Sequence, residues 1–464
     1  MRYIENKTFD ELNVGDHAEL TRTLGARDIE LFTGMSGDVN PAHIDEEYAR
    51  SDMFHEVIAH GMWGGALISA VLGTELPGPG TIYLNQSLNF KKPVGLGDTV
   101  TVRVSITEKF PEDKRLKINC RCLNQDGELV IEGGAEVIAP TDKVRRPRAV
   151  LPEVHLHERG ARYRDLIDAT SNLQPVRTAV VHPCDKLSLG GALEAAAHNL
   201  IVPILIGPKD KILATAEEDG RRLDNIEIID VPHSHAAAER AVEVVRMGEA
   251  QAIMKGKLHT DELISAVVDR ELGLRTERRI SHVFAFDVPH YPKPLFISDA
   301  AINIYPTLDD KCDIVQNAIE LVQALGNPQP KVAILSALET VYPKIASTVD
   351  AAALCKMADR GQIIGGLLDG PLAFDNAISK SAATTKGIVS EVAGDADILI
   401  VPDLEAGNMI AKQLIYLAGA ESAGIVLGAR VPIILTSRSD GILSRLASCA
   451  LAQLYSHHQN VAAT

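Results

Sequence analysis

The sequence predicts an α+β domain followed by a two-lobed α/β domain, a parallel-sheet sandwich, on three observations. First, one almost wholly apolar run, Met62 to Leu72, precedes segments that alternate apolar and polar with period two. A helix apolar all round is a buried one, and alternating segments are half-buried antiparallel strands. Second, beyond Gly160 the rhythm changes to short continuous apolar runs separated by Ala-rich stretches, as in a parallel sheet covered on both faces. Third, residues 141–160, rich in Pro and charge, divide the two patterns and read as a linker.

Within the first pattern, residues 16–24 are expected as a strand and Asp28 to Met35 as a helix. Gly37-Asp38 is a tight turn. Asn40 is a good helix N-cap, and Pro41 suits the first helical position, where its missing N–H costs nothing. His43 then falls in the first turn of a short helix, with Asp38 on the stiff corner before it. The apolar helix begins at His60-Gly61, and its first turn offers free N–H groups and the positive end of the dipole. A carbonyl oxygen gaining negative charge would be stabilised there. Strands follow at Tyr83–Phe90, at Val100, Val102, Val104 and Ile106, and at Leu116, Ile118, Cys120 and Cys122. The turn Asn124-Gln125-Asp126-Gly127 leads into a last strand, Leu129 to Ile138. Cys120 and Cys122 share a strand face, which points to core packing, not a metal site.

The run Phe32, Gly37-Asp38-Val39-Asn40-Pro41-Ala42-His43 and His60-Gly61-Met62 resembles the MaoC-like, (R)-specific enoyl-CoA hydratases of the hotdog fold. Ala42 stands where that family usually has a larger aliphatic. Hydrating an enoyl thioester requires a base for water, an acid for Cα, and donors for the enolate-like oxygen. The resemblance assigns Asp38 and His43 to the acid–base pair and the Gly61 N–H to the thioester oxygen. It assigns Ser69 to a hydrogen bond that orients Asp38. It also implies dimers that complete the site, and hence a homo-oligomer.

In the second pattern, strands are expected at Ala179–Val181, Pro203–Ile206, Ile226–Ile229, Ala252–Met254, Val332–Leu335, Ile398–Val401 and Ile433–Thr436. A helix from Ile442 to about Tyr455 ends the chain. His155 and His157 in the linker lack a third ligand at metal spacing and read as solvated. No Walker loop or dinucleotide fingerprint is present. Glycine-rich turns stand out instead, at 365–379 and 386–408, with LTSRSD at 435–440. The carboxyl ends of strands in open α/β sheets are where ligands bind.

Those segments, with MKGKLHTDEL (254–263) and SDAAINIYPT (298–307), resemble the phosphate acetyl/butyryltransferase family over most of residues 160–460. The resemblance implies acyl exchange between CoA and inorganic phosphate. Arg438 would grip phosphate through its guanidinium fork, Ser437 would stabilise the tetrahedral intermediate, and Asp440 would exchange a proton with the CoA thiol. Lys255, Lys257, His259 and Asn408 make up the implied substrate- and phosphate-binding set. Acetyltransferase members carry their acid further past the Ser-Arg pair, and an arginine soon after His-Thr where this chain has Asp261-Glu262-Leu263-Ile264. That leans toward the butyryl-type branch. Arg275, Arg278 and Arg279 are either a further phosphate contact or a solvent face.

The chain has 464 residues, 46% hydrophobic and 23% charged, which suits two or three globular domains. A formal charge of −16 argues against nucleic acid or an anionic membrane as partner. Six cysteines without a dense framework fit a reducing cytosol. No run of about eighteen apolar residues indicates a membrane span, and a cytoplasmic location is expected. CoA thioesters and phosphate are expected as substrates, with no bound cofactor or metal. Two alternatives stay open. The two-lobed half also resembles isocitrate and isopropylmalate dehydrogenases, although neither clustered aspartates for a metal nor a nicotinamide site stands out. Otherwise one half is a silent CoA-binding or oligomerising module.

Overall fold

A computed structural model describes residues 3–149, 160–436 and 441–462. The chain divides into two units, Met1–Leu156 and His157–Thr464.

The first unit runs β1 (Tyr3–Glu5), β2 (His17–Thr23), α1 (Ala26–Ser36), α2 (Pro41–Ile44), α3 (Glu46–Ser51), α4 (Gly61–Thr74), β3 (Ile82–Phe90), β4 (Thr99–Phe110), β5 (Arg115–Leu123), β6 (Leu129–Ile138) and β7 (Arg145–Pro147). Five strands form a sheet in the order β2-β4-β5-β6-β3, every pairing antiparallel. Register carries the alternation across strands: Val102 lies opposite Cys122, and Cys122 opposite Ile131. The face so built packs on Trp63, Leu67, Ile68, Val71 and Leu72 of α4. This is the hotdog arrangement, a sheet wrapped around one helix. Cys120 and Cys122 belong to that core, and burial pushes their thiols up to about 11 and about 12.

Two expectations are corrected. The apolar helix is not buried all round, since Met62 is 56% exposed and Ala66 and Ser69 are exposed too. Only one of its sides meets the sheet. The stretch 141–160 is not linker throughout either. Arg145–Pro147 pairs antiparallel with Tyr3–Glu5, and the buried Asn6 amide donates to the carbonyls of Pro79 and Asp142. Backbone groups with such partners make these residues part of the first unit. His155 and His157 lie outside the described residues.

In the second unit the strands are β8 (Val176–Val181), β9 (Ile201–Gly207), β10 (Glu227–Asp230), β11 (Ala252–Lys255), β12 (Ser281–Asp287), β13 (Leu295–Ser298), β14 (Lys331–Leu335), β15 (Leu367–Leu372), β16 (Ile398–Ile400), β17 (Glu421–Leu427) and β18 (Ile433–Ile434). Between them lie α5 (Ala161–Asp168), α6 (Lys186–Ala197), α7 (Lys209–Glu218), α8 (Ser234–Arg246), α9 (Thr260–Val267), α10 (Leu308–Ala324), α11 (Ala346–Asp359), α12 (Phe374–Ile378), α13 (Lys380–Thr385) and α14 (Leu404–Leu417), and α15 (Ile442–Ala462) follows. One sheet of eleven strands has the order β10-β9-β8-β11-β18-β17-β12-β13-β16-β14-β15.

The two lobes are the parallel halves of this sheet, β10 to β18 and β13 to β15. The middle departs from the all-parallel expectation: β18 with β17, β17 with β12, and β12 with β13 are antiparallel. For two of the three the cause is loop length. Only Gly428–Pro432 joins β17 to β18, and only Val288–Pro294 joins β12 to β13, too short for a parallel crossover. Three antiparallel steps leave the halves pointing in opposite directions. Their strands therefore end at opposite edges of the sheet.

Candidate active sites

In the first unit, α1 ends at Gly37, whose φ of 73° lies in the left-handed region that favours glycine. Its N–H closes the helix on the Thr33 carbonyl at 2.8 Å. The chain then turns within one residue. The Asp38 N–H donates to Ser36 Oγ at 3.2 Å, and Asp38 Oδ1 accepts from the Asn40 N–H at 3.3 Å. Asn40 Oδ1 caps α2 by accepting from the Ala42 N–H at 3.2 Å. Ala42 itself is buried.

His43 Nδ1 lies 2.8 Å from the Ile58 carbonyl oxygen. A carbonyl only accepts, so Nδ1 carries hydrogen, and in the neutral ring Nε2 keeps its lone pair. Asp38, His43 and His60 each bring one ligand-type atom within 4.8 Å of the others. Gly61 opens α4, and no side chain caps that helix start. A Cβ added at Gly61 would lie 3.0 Å from Phe90 Cε1, so glycine lets the aromatic ring approach the backbone. A pocket of about 310 Å³ adjoins this corner, lined by His43, Gly61, Phe54, Trp63, Phe90 and Ile131 among others. Its walls suit an acyl chain, with the imidazole and the helix start at its polar end.

Asp38, His43 and Gly61 thus meet, whereas Ser69 does not join them. It sits eight residues beyond Gly61 on α4, roughly 12 Å of helix rise, and is exposed. The groups bonded to Asp38 are Ser36 Oγ, the Asn40 N–H and His60 Nε2. The donor trio Asp38, His43 and His60 could also hold a cation, but His60 Nε2 is already turned to the Asp38 backbone carbonyl at 3.1 Å.

In the second unit, the ends of β11 and β18 face the start of α6 and one side chain of α15. Lys255, Gly256, Lys257, Thr436, Arg445 and Asp185–Ser188 line a pocket of about 410 Å³. Lys255 and Arg445 are buried and Lys257 is exposed. Arg445 Nη1 donates to Thr436 Oγ1 at 2.9 Å. Gly191 leaves it room, since a Cβ there would sit 2.9 Å from Arg445 Cδ. The Gly256 N–H bonds the Val181 carbonyl at 2.9 Å, and His182 Nδ1 donates to the Lys257 carbonyl at 2.7 Å. Three cations on strand and helix ends give this pocket the charge to hold an anion.

His259 and Asn408 stand apart from it. His259 caps α9, its N–H bonded to Glu262 Oε1 at 3.3 Å. Asn408 on α14 donates to the Ala300 carbonyl at 3.3 Å, just past β13. Because the sheet halves run oppositely, that strand end is at the other edge. Asp299 there is buried and accepts from the N–H groups of Ala301, Ile302 and Asn303. Burial pushes its carboxyl up, opposed by those donors. Ser437, Arg438 and Asp440 lie outside the described residues. Of the arginine cluster, Arg278 pairs with Glu320 at 2.6 Å, and Arg279 meets Asn303 Oδ1 and Asp310. Two of the three are thereby neutralised, as on a solvent face.

Residues 233–452 match the family model for phosphate acetyl/butaryl transferase, and residues 12–121 match the MaoC like domain. The phosphate acetyltransferase of Rhizobium meliloti is 60% identical over 302 residues, covering 65% of this chain and 96% of that protein. The chain belongs to the phosphate acetyl/butyryltransferase family. It carries a MaoC-like hotdog ahead of that domain. The phosphate butyryltransferase of Clostridium acetobutylicum is 39% identical, over 63% of this chain and 97% of its own. A branched-chain phosphotransacylase structure from Enterococcus faecalis V583 aligns with a TM-score of 0.54 and 30% identity, covering 61% of this chain and 99% of its own. The lean toward the butyryl branch is therefore not supported: the acetyltransferase relative shares more residues, despite the missing arginine after His259-Thr260. Family membership also decides against the dehydrogenase alternative. Among the described residues, no group of three or more His, Cys, Asp or Glu donors gathers in the second unit.

Sequence reading missed Arg445 and Thr436 as parts of the cationic pocket. Arg445 lies seven residues past Arg438, within what reads as an ordinary amphipathic helix. Its burial beside Gly191 is a tertiary fact with no local signal.

Proposed function

We propose that the chain is a bifunctional acyl-CoA enzyme. The first unit hydrates a trans-2-enoyl-CoA to the (R)-3-hydroxyacyl-CoA, and the second moves an acyl group reversibly between CoA and inorganic phosphate. The hydratase reading rests on Asp38 lying within reach of His43 and His60, with His43 and the start of α4 at one apolar pocket. The transferase reading rests on 60% identity across nearly the whole of a phosphate acetyltransferase, and acetyl is the favoured group.

In hydration, Asp38 and His43 hold one water between them. One removes a proton as the water oxygen bonds to Cβ, and that proton passes within the pair to Cα, so the OH and H of one water end on the substrate and both groups regain their starting state. The Gly61 N–H receives the thioester oxygen while it carries enolate charge. In acyl transfer, Lys255, Lys257 and Arg445 bring phosphate or the CoA phosphates to the ends of β11 and β18. Ser437 and Arg438 act on the tetrahedral centre and the phosphate, and Asp440 on the thiol. CoA thioesters and phosphate come as substrates, and the reading puts the protein in the cytoplasm.

The test uses the full chain. Loss of enoyl absorbance from crotonyl-CoA reads the first activity. Phosphate-dependent release of CoA thiol from acetyl-CoA, with arsenate able to replace phosphate, reads the second. Absence of either signal over a range of acyl lengths sinks the corresponding half. A homo-oligomer, at least a dimer, belongs to the same reading and is supported by the open side of α4 and the exposed edge strand β3.

A further inference from the structure

His60 precedes the pocket glycine, and neither an acid–base role nor the oxyanion role falls to it. Only 3% of it is exposed, yet it touches every part of the proposed hydration site. Its Nε2 lies 3.1 Å from the backbone carbonyl oxygen of Asp38 and 3.4 Å from Thr33 Oγ1. A carbonyl can only accept, so Nε2 carries hydrogen and donates. Its ring centroid is 3.9 Å from that of His43, tilted by 35°, and 5.0 Å from that of Phe32. Its own carbonyl accepts the Trp63 N–H at 2.9 Å, which closes the first turn of α4. Nδ1 is buried without a hydrogen-bond partner. A core histidine retained only for packing would be poor value there, because an orphaned ring nitrogen is unfavourable where an apolar ring would fit.

We infer that His60 is the positioning residue of the hydration site: its ring fixes the Asp38 backbone by its Nε2–H and braces the His43 imidazole by stacking, next to the start of α4 that presents the Gly61 N–H. The inference rests on the hydratase reading. It acts through Asp38 and His43 and touches no reacting atom. Small displacements of an acid–base pair are costly to turnover while leaving binding nearly intact, so the signature is a fall in kcat at constant KM. The donor is the part that packing cannot replace.

Two variants of the full chain separate the donor from the ring. His60→Phe keeps the stack and loses the N–H, whereas His60→Gln places an amide N–H near Nε2. With crotonyl-CoA, His60→Phe is expected to lower kcat about 10- to 100-fold with KM within about threefold. His60→Gln is expected to recover at least about a third of that loss on a logarithmic scale. Phosphate-dependent thiol release by the second unit normalises the amount of protein, and the thermal unfolding transition of the first unit reports whether that unit is folded in each sample. Dialysis against EDTA should leave wild-type hydration unchanged. The inference is overturned if His60→Phe hydrates within twofold of wild type while Asp38→Asn does not hydrate. It is equally overturned if Gln is as defective as Phe, which marks a packing role, or if EDTA abolishes hydration and zinc restores it, which makes His60 a ligand. If His60→Phe does not fold, the His60→Gln kcat, expected above one tenth of wild type, decides alone. A wild type that hydrates no enoyl-CoA refutes the hydratase reading itself, and this inference with it.

Discussion

At the residue scale, the hydration corner is defined by bonds that leave one free edge on each reactive group. His43 spends Nδ1 on Ile58, and Asp38 receives only the Asn40 N–H on Oδ1. Asp38→Asn keeps the shape and removes the carboxylate, and should lower crotonyl-CoA hydration about 100-fold or more, as expected for one acid–base group. His43→Ala should do the same, and thiol release by the second unit should stay at the wild-type rate in both. In the second unit, Arg445→Lys keeps charge but loses the planar fork that meets Thr436. Its KM for phosphate or CoA should rise by roughly tenfold, and unchanged constants for both would remove Arg445 from the anion site. His282 offers a stability test. Burial pushes it down to about 3, its Nδ1 has no partner, and Phe284 packs edge-on at 4.3 Å. The unfolded chain takes up this proton near pH 6.5 and the folded chain does not. Its contribution to stability is thus present above pH 6.5 and lost as pH falls toward 3. Between pH 7 and pH 5, His282→Gln should lose about 2 kcal/mol less than wild type in denaturant unfolding of the second unit. Equal losses would mean that His282 is not the titrating group.

At the element scale, glycines mark where strands and site loops approach too closely for a side chain. A Cβ at Gly256 would lie 2.4 Å from the Val181 carbonyl oxygen and 2.8 Å from that of His182. Backbone cannot yield as a flexible side chain does. Gly256→Ala should therefore prise the end of β11 from β8, misplace both flanking lysines, and cost about 1–3 kcal/mol as an overpacked site. Thermal unfolding and thiol release read this together, and a variant with wild-type values for both would show that the loop relaxes freely. Elements of this kind differ in how much the sequence shows of them. The corner from Phe32 to His43 was legible because capping chemistry is local: Asn40, Pro41 and Gly37 each have a bond or dihedral to satisfy. The alternating strands of the first unit were legible because one face is wet. β12 and β17 were not, because a strand at the centre of a wide sheet is covered on both faces and shows no contrast with a buried helix. β15 was hidden by Gly365, Gly366, Gly370 and Pro371, which read as turn residues. The direction of the second sheet half was invisible for a further reason. It depends on the number of antiparallel steps between the halves: two are set by short connections, and the third, β12 with β17, pairs strands far apart in the chain.

At the scale of the whole molecule, the sequence separated two patterns but could not say what covers the open side of α4. Among the described residues of the first unit, nothing covers it. Met62 is 56% exposed, Ile82 56%, Leu84 48% and Phe90 53%, and they belong to the helix at the site and to the edge strand beside it. An edge strand also presents unpaired N–H and C=O groups to any neighbour. Apolar side chains next to an unpaired edge form a surface that water solvates poorly, and a second copy of the same strand completes both kinds of interaction at once by twofold symmetry. Light scattering at micromolar concentration should accordingly give at least twice the chain mass of 49.9 kDa. Ile82→Lys combined with Leu84→Lys puts two charges on that surface. If β3 is the contact, the doubly charged variant should lose mass and hydration together, since both the pairing edge and the wall of the site at Phe90 lie on this strand. If it keeps its mass, the contact is elsewhere in the chain, and a wild type of 49.9 kDa would refute assembly altogether.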